Sequence, residues 1–251
     1  MRAPTDNIVA PLFPTKLPWV NGGPQSIIQQ GRPMLVEFWD FCRPSSLRTL
    51  PYVRAWHERY AADGLRVIGV HCPGFEASHD EQAVSDAVAR LRISYPVLID
   101  SELEVWQDYE NEGWPARYLF DGRARLFDYH YGEGAYAETE LAIQELLGTQ
   151  RELLEPLRAE DAPGATLAAQ TEDQDGAYSG RYEAGAVWAV LDGTGMVKIN
   201  GGESAGGSEL AITHSGAYVL LEHDRHTVGV LELEIGPGVK CLATCFTPGI
   251  A

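Results

Sequence analysis

The stretch FWDFCRPSSLRTLP, from Phe38 to Pro51, decides how the rest of the chain is interpreted. The apolar run PMLVEFW that leads into it has the length and composition of a buried β-strand. Beyond a short polar turn, apolar residues recur at three-residue steps from Leu47 to Trp56, which predicts one face of a helix. Pro51 lies inside that helix and should kink it. The stretch therefore reads as a strand joined to a kinked helix by a turn that carries one cysteine, Cys42.

Further strands and helices alternate along the first 150 residues. LRVIGVHC and YPVLID have the composition of buried strands, and ARYLFD and ARLFDYHYG are strands joined by an Asp-Gly turn. This order predicts an α/β domain with parallel pairing and a late antiparallel hairpin. We assign 1–150 to that domain, 151–176 to a polar linker, and 177–251 to a small all-β domain of sandwich or jelly-roll-like type.

Composition limits the classes of partner. The formal net charge of −17 argues against binding to nucleic acid or to anionic membranes, because both need basic patches. No apolar run is long enough to span a bilayer and no secretory signal is evident, so we expect a cytoplasmic protein. The four cysteines have no Cys-x-x-Cys spacing, and we predict no metal and no cofactor. The oligomeric state is left open.

Several separated motifs carry a family resemblance. LVEFW, LRTLPYVRAW, VIGVH, YPVLID and GWPARYLFD together resemble the TlpA/DipZ branch of the thioredoxin superfamily, over roughly residues 15–148. The resemblance implies a central mixed sheet flanked by helices and a thiol–disulfide exchange activity. It also implies a buried acid at Glu37, a cis-proline at Pro115 and the helix-kinking proline at Pro51. The β-rich tail resembles the module that follows DipZ-type thioredoxin domains.

The family's Cys-x-x-Cys pair is not retained, and two alignments of the turn are open. Counting forward from Trp39 or back from Pro51 places the two family cysteines at Arg43 and Ser46, so that the pair is replaced. Alternatively, FCRPS resembles WCGPC shifted by one residue. Cys42 is then the nucleophile and Ser45 stands in place of the resolving thiol. A thiol near a helix N-terminus is easier to ionise, so Cys42 is a candidate in the second alignment.

A third possibility involves Cys72, which ends a strand predicted to lie beside the strand of Glu37. Functional groups in such sheets gather at the carboxyl edge, so Cys42 and Cys72 could form a rebuilt dithiol. The alternative interpretation is that Cys72 is a small buried apolar residue. Trp114 and Pro115 are expected to line a substrate groove, with Arg43, Ser45 and Ser46 beside it.

Two functions follow from these patterns. The first is a thiol–disulfide oxidoreductase with a single-cysteine turn, acting on a protein or small-molecule thiol or disulfide through Cys42, Glu37 and the candidate partner Cys72. The second is a redox-inactive binding protein that keeps the groove at Trp114 and Pro115. Its β-rich module would recognise protein or carbohydrate, the latter by stacking on Tyr178, Tyr182 and Trp188. The alternation within AVWAVL favours a core position for Trp188 instead.

Overall fold

A computed structural model of the chain describes residues 8–23, 31–201 and 204–251. They form two compact units. The first comprises Met1–Phe41 and Ser45–Glu155, and the second comprises Cys42–Pro44 and Pro156–Ala251.

The described residues of the first unit form six strands and four α-helices. These are β1 (Trp19–Val20), β2 (Met34–Trp39), α1 (Pro44–Tyr60), β3 (Arg66–His71), α2 (Glu81–Arg90), β4 (Val97–Ile99), α3 (Glu104–Asp108), β5 (Ala116–Phe120), β6 (Leu126–Tyr131) and α4 (Tyr136–Leu147). The strands make one mixed sheet in the order β1-β4-β3-β2-β5-β6. Strands β2, β3 and β4 pair in parallel, while β5 and β6 form the antiparallel hairpin. The predicted α/β arrangement with a late hairpin is confirmed.

The central position of β2 follows from its composition. Every residue of MLVEFW is buried, which suits a strand covered on both faces. On one face, Met34, Val36 and Phe38 belong to a core cluster with residues of β3, β4 and β5. Helix α1 buries its apolar face, on which Val53 and Trp56 are fully inaccessible to solvent. The helix contains Pro51, as expected from the sequence.

Local signals fix the ends of several elements. Asp80 caps α2 by accepting a hydrogen bond from the Ala83 amide at 2.7 Å. In the β5–β6 turn, the Asp121 side chain accepts from the amides of Arg123 and Arg125. Gly148 ends α4 in the left-handed conformation, with φ of 64°. The described helices include none that is both long and apolar enough to cross a membrane.

The second unit is all β, as predicted. Its strands are β7 (Gln174–Asp175), β8 (Gly180–Gly193), β9 (Gly195–Gly201), β10 (Ser204–Ile212), β11 (Gly216–Ile235) and β12 (Val239–Thr247). They form one antiparallel sheet in the order β10-β9-β11-β8-β12-β7. The segment assigned to a linker contains β7, which pairs with β12. Tyr182 is fully buried in the core of this unit, and Trp188 is half-buried.

Candidate functional site

Three parallel strands end at one edge of the first sheet and bring polar residues there. Trp39 and His71 are register partners on β2 and β3, as expected for neighbouring strands, and His71 pairs with Ile99 on β4. The residues that follow these three are therefore adjacent. They are Asp40, Cys72 and Asp100, and all three are fully buried.

The residues of the turn after β2 are buried to different extents. Arg43 is half-buried, whereas Cys42 has no exposed surface and Ser46 is also fully buried. The Ser46 hydroxyl accepts a hydrogen bond from the Asp40 amide at 3.2 Å. In a working dithiol turn the attacking thiol must be reachable, while the second thiol only has to reach the first. In the pair Arg43 and Ser46, the first residue is partly accessible and the second is buried. In the pair Cys42 and Ser45, the first is buried and the second is partly accessible.

Cys72 is held in the thiol form. Its Sγ donates to Asp100 Oδ2 at 3.4 Å. Burial raises the pKa of the Cys72 thiol well above its usual range, and the neighbouring carboxylate of Asp100 raises it further. The same carboxylate accepts from the amides of Glu104 and Trp106, so Asp100 also satisfies two amides in the first turn of α3. All four cysteines are thiols, and no disulfide joins Cys42 to Cys72.

A buried polar network beside the turn was not found by the sequence reasoning. Asp40 Oδ2 accepts from the Gly74 amide at 2.8 Å and from the Ser78 hydroxyl at 3.2 Å. His71 Nε2 lies 3.6 Å from Asp40 Oδ1, and the His71 ring stacks on Phe41 with centroids 5.3 Å apart. The one available signal was an acid placed directly after a buried strand, where functional groups collect.

Glu37 is fully buried and lies opposite Arg117 in the β2–β5 register. Burial raises the pKa of the Glu37 carboxyl to about 8, although the positive charge of Arg117 opposes the rise. The Tyr95 hydroxyl donates to Glu37 Oε2 at 3.5 Å. The Arg117 guanidinium sits over the rings of Trp56 and Tyr136 at 5.7 and 5.1 Å. At neutral pH, Glu37 can therefore hold or release a proton.

Trp114 and Pro115 lie beside the start of α1. The bond between them is cis. The Trp114 carbonyl accepts a hydrogen bond from the Ser45 hydroxyl at 3.2 Å, and the Trp114 indole donates to the Cys72 carbonyl at 2.9 Å. The Trp114 ring packs on Trp106 with centroids 4.3 Å apart. The structure thus brings Ser45, Trp114 and Cys72 together as neighbours, with the Trp114 side chain half-buried.

The described residues contain no group of three His, Cys, Asp or Glu side chains arranged to hold a metal ion. What the site offers chemically is a set of buried thiols, one carboxyl that titrates near neutral pH, and an aromatic surface. In the turn itself, Arg43 is half-buried and Ser46 is fully buried.

Comparison with known proteins points to one superfamily. No family model matches the chain. It is 36% identical to the DipZ protein of Mycobacterium bovis over 118 residues, which span 47% of this chain and 17% of that protein. It is 28% identical to thiol-disulfide oxidoreductase YkuV of Bacillus subtilis over 131 residues, which span 51% of this chain and 87% of that protein.

A solved thioredoxin-like superfamily protein has the same fold. It aligns with a TM-score of 0.51 and 20% identity, covering 57% of this chain and 99% of that structure. These matches agree with the strand order of the first unit, with β2 and β3 in parallel and β5 and β6 antiparallel. The first unit therefore has a thioredoxin-like fold and is similar in sequence to DipZ and YkuV, and an all-β unit follows it along the chain.

Proposed function

We propose that this protein uses a thioredoxin-like unit for binding and does not run a two-thiol redox cycle. The observation that carries the proposal is the burial pattern of the turn, in which Arg43 has the accessible position and Ser46 the buried one. A cycle of the Cys-x-x-Cys type needs thiols at both positions. Cys72 does not replace the missing thiol, because it is buried, bonded to Asp100 and kept protonated.

The proposed binding surface is centred on Trp114. Its ring is half-buried, is backed by Trp106, and is fixed in orientation by the bond from its indole to the Cys72 carbonyl. A rigid aromatic side chain held in this way is well suited to anchor a peptide. Since a relative is named a thiol-disulfide oxidoreductase, we propose proteins that carry thiols or disulfides as partners. The cytoplasm remains the proposed compartment.

A second candidate function is single-thiol exchange through Cys42, favoured by its position two residues before Pro44, the first residue of α1. The Cys42 thiolate would attack a substrate disulfide, forming a mixed disulfide and releasing one substrate thiolate. An external thiolate would then attack the substrate sulfur of the mixed disulfide, release Cys42 as a thiolate, and remain joined to the substrate by a new disulfide. Because Cys42 has no exposed surface, the turn would have to open before the first step.

Insulin reduction by dithiothreitol, followed by turbidity, separates the two functions. Under the binding proposal, the wild type, Cys42→Ser and the control Cys241→Ser all give the rate of dithiothreitol alone. Under single-thiol exchange, Cys42→Ser is slower than both of the others. For the binding proposal itself, Trp114→Ala should weaken capture of a model peptide. The control Glu138→Gln, which changes a solvent-exposed residue, should not weaken it. Equal capture by Trp114→Ala would rule out the proposed surface.

A further inference from the structure

A cleft of about 580 Å³ opens in the first unit, away from the cysteines. It lies between the lead-in segment before β1, the end of α3 and the β5–β6 hairpin. Its size falls in the range of sites that bind small molecules or short peptide segments. The described lining residues are Ile8, Val9, Pro11, Asp108, Tyr109, Glu110, Glu112, Tyr118, Phe120, Leu126, Tyr129 and Tyr131.

Five of the twelve described lining residues are aromatic, and their rings pack against one another. Tyr118 packs against Tyr109 and Tyr131 with centroids 5.7 and 5.9 Å apart, and Tyr131 contacts Tyr129 at 5.8 Å. The Tyr118 hydroxyl donates to Asn111 Oδ1 at 2.8 Å and lies 3.0 Å from the Tyr131 hydroxyl. Tyr131 is 40% exposed, so one ring of this set is open to a ligand.

The rim of the cleft is negative. Asp108, Glu110 and Glu112 are exposed, and the described lining includes no lysine, arginine or histidine. In the parts of the chain that the structure describes, none of these three carboxylates pairs with a basic side chain. Burial keeps Tyr109 and Tyr118 neutral, since it raises the pKa of both phenols. Aromatic rings next to these three exposed carboxylates favour a positively charged ligand.

We propose that this cleft binds an arginine side chain of a partner peptide. Arginine fits better than lysine because its planar guanidinium can stack on a tyrosine ring and pair with a carboxylate through two parallel bonds. The remaining volume accommodates the neighbouring residues of the peptide against Ile8, Val9 and Leu126. The proposal rests on the cleft alone and does not depend on the state of the cysteines.

Calorimetric titration with the peptide acetyl-Gly-Arg-Gly-amide tests the proposal, and the same peptide with citrulline in place of arginine is the neutral isosteric control. We expect the arginine peptide to bind at least about tenfold more tightly than the citrulline peptide, with an affinity that falls as salt is added. Neutralising the rim with Asp108→Asn, Glu110→Gln and Glu112→Gln should remove that preference. The matched triple variant of exposed acids outside the cleft, Glu58→Gln, Glu138→Gln and Glu152→Gln, should keep it.

Variants of Tyr131 test the aromatic contribution separately. Tyr131→Phe keeps the ring face and should bind normally, whereas Tyr131→Leu should bind about threefold more weakly. Circular dichroism confirms that each variant is folded. Equal affinity for the arginine and citrulline peptides, an unchanged preference in the rim variant, or no measurable heat at millimolar peptide would each overturn the proposal. The results of the insulin assay and of peptide capture by Trp114→Ala do not bear on this proposal.

Discussion

The thiol of Cys72 and the carboxylate of Asp100 lie 3.4 Å apart at the carboxyl edge of the sheet, and the thiol is the donor. This bond explains why Cys72 is a poor nucleophile. Burial is the largest cause of its raised pKa, and the negative charge of Asp100 is the next. We therefore expect iodoacetamide to leave Cys72 unmodified in the native protein at pH 8 and to modify it once the protein is unfolded.

Asp100→Asn removes the charge but leaves Cys72 buried, so its alkylation should become faster by less than about tenfold. Peptide mapping by mass spectrometry measures the modification at each cysteine. Cys241 in the same samples is the internal control and should react at the same rate in both proteins. Rapid alkylation of Cys72 in the unaltered native protein would contradict this assignment.

The two alignments of the turn make different predictions for restoring redox activity. If Arg43 and Ser46 are the replaced positions, Arg43→Cys with Ser46→Cys should form a disulfide on oxidation and reduce insulin at least about tenfold faster than the unaltered protein. Adding Cys42→Ser to that variant should not lower the rate. Ser45→Cys should remain at background, because it pairs a half-buried position with the inaccessible Cys42. Faster turnover by Ser45→Cys would instead support the shifted alignment.

Much of the scaffold could be predicted from sequence because it depends on short, strongly patterned segments. The run MLVEFW predicts a strand buried on both faces through its composition, and the buried acid at Glu37 was predicted from the family resemblance. The choice between the two alignments could not be made in this way. It depends on which turn residues face the interior, and hence on where α1 begins relative to the sheet.

The Asp40, His71 and Ser78 network was missed for a related reason. Asp40 follows β2, His71 ends β3 and Ser78 ends the short 3-10 turn Glu76–Ser78, and no local pattern shows that they meet. The bond between Cys72 and Asp100 likewise joins residues 28 positions apart. Contacts of this kind are set by strand order, which the alternation of strands and helices suggests only in outline.

Glu37 should make stability depend on pH. Its pKa in the folded protein is about 8, above the usual value of 4.5, so folding favours the protonated form. The stability it contributes is fully present below pH 4.5 and is lost as the pH rises through 8. By linkage, this loss is on the order of 5 kcal/mol.

Urea unfolding of wild type and Glu37→Gln across this pH range measures the effect. The free energy of unfolding of Glu37→Gln should rise relative to that of the wild type from pH 5 to pH 8. The difference between the two should then stay constant above pH 8. Glu138→Gln, which changes an exposed acid, provides the comparison and should run parallel to the wild type at every pH. Parallel curves for Glu37→Gln as well would mean that the folded protein does not raise the Glu37 pKa.

Arg117 should matter most when Glu37 is ionised. Arg117 is buried, and its guanidinium lies over the rings of Trp56 and Tyr136. Its Nη2 donates a hydrogen bond to the Gly134 carbonyl at 2.5 Å. Its positive charge lowers the pKa of Glu37. Arg117→Met removes these interactions at any pH. Without Arg117 the pKa of Glu37 rises further, so at pH 9 the variant keeps a proton that the unaltered protein releases, and it loses about 1 kcal/mol more stability there than at pH 6.

A double-mutant cycle isolates the charge pairing from the other contacts of Arg117. Arg117→Met should lower the free energy of unfolding by more at pH 9 than at pH 6, and this pH difference should disappear when Glu37→Gln is also present. The loss at pH 6 then reports the ring contacts and the bond to Gly134, because Glu37 is neutral there. If the loss is the same at both pH values, Arg117 acts through packing alone and its charge does not support ionised Glu37.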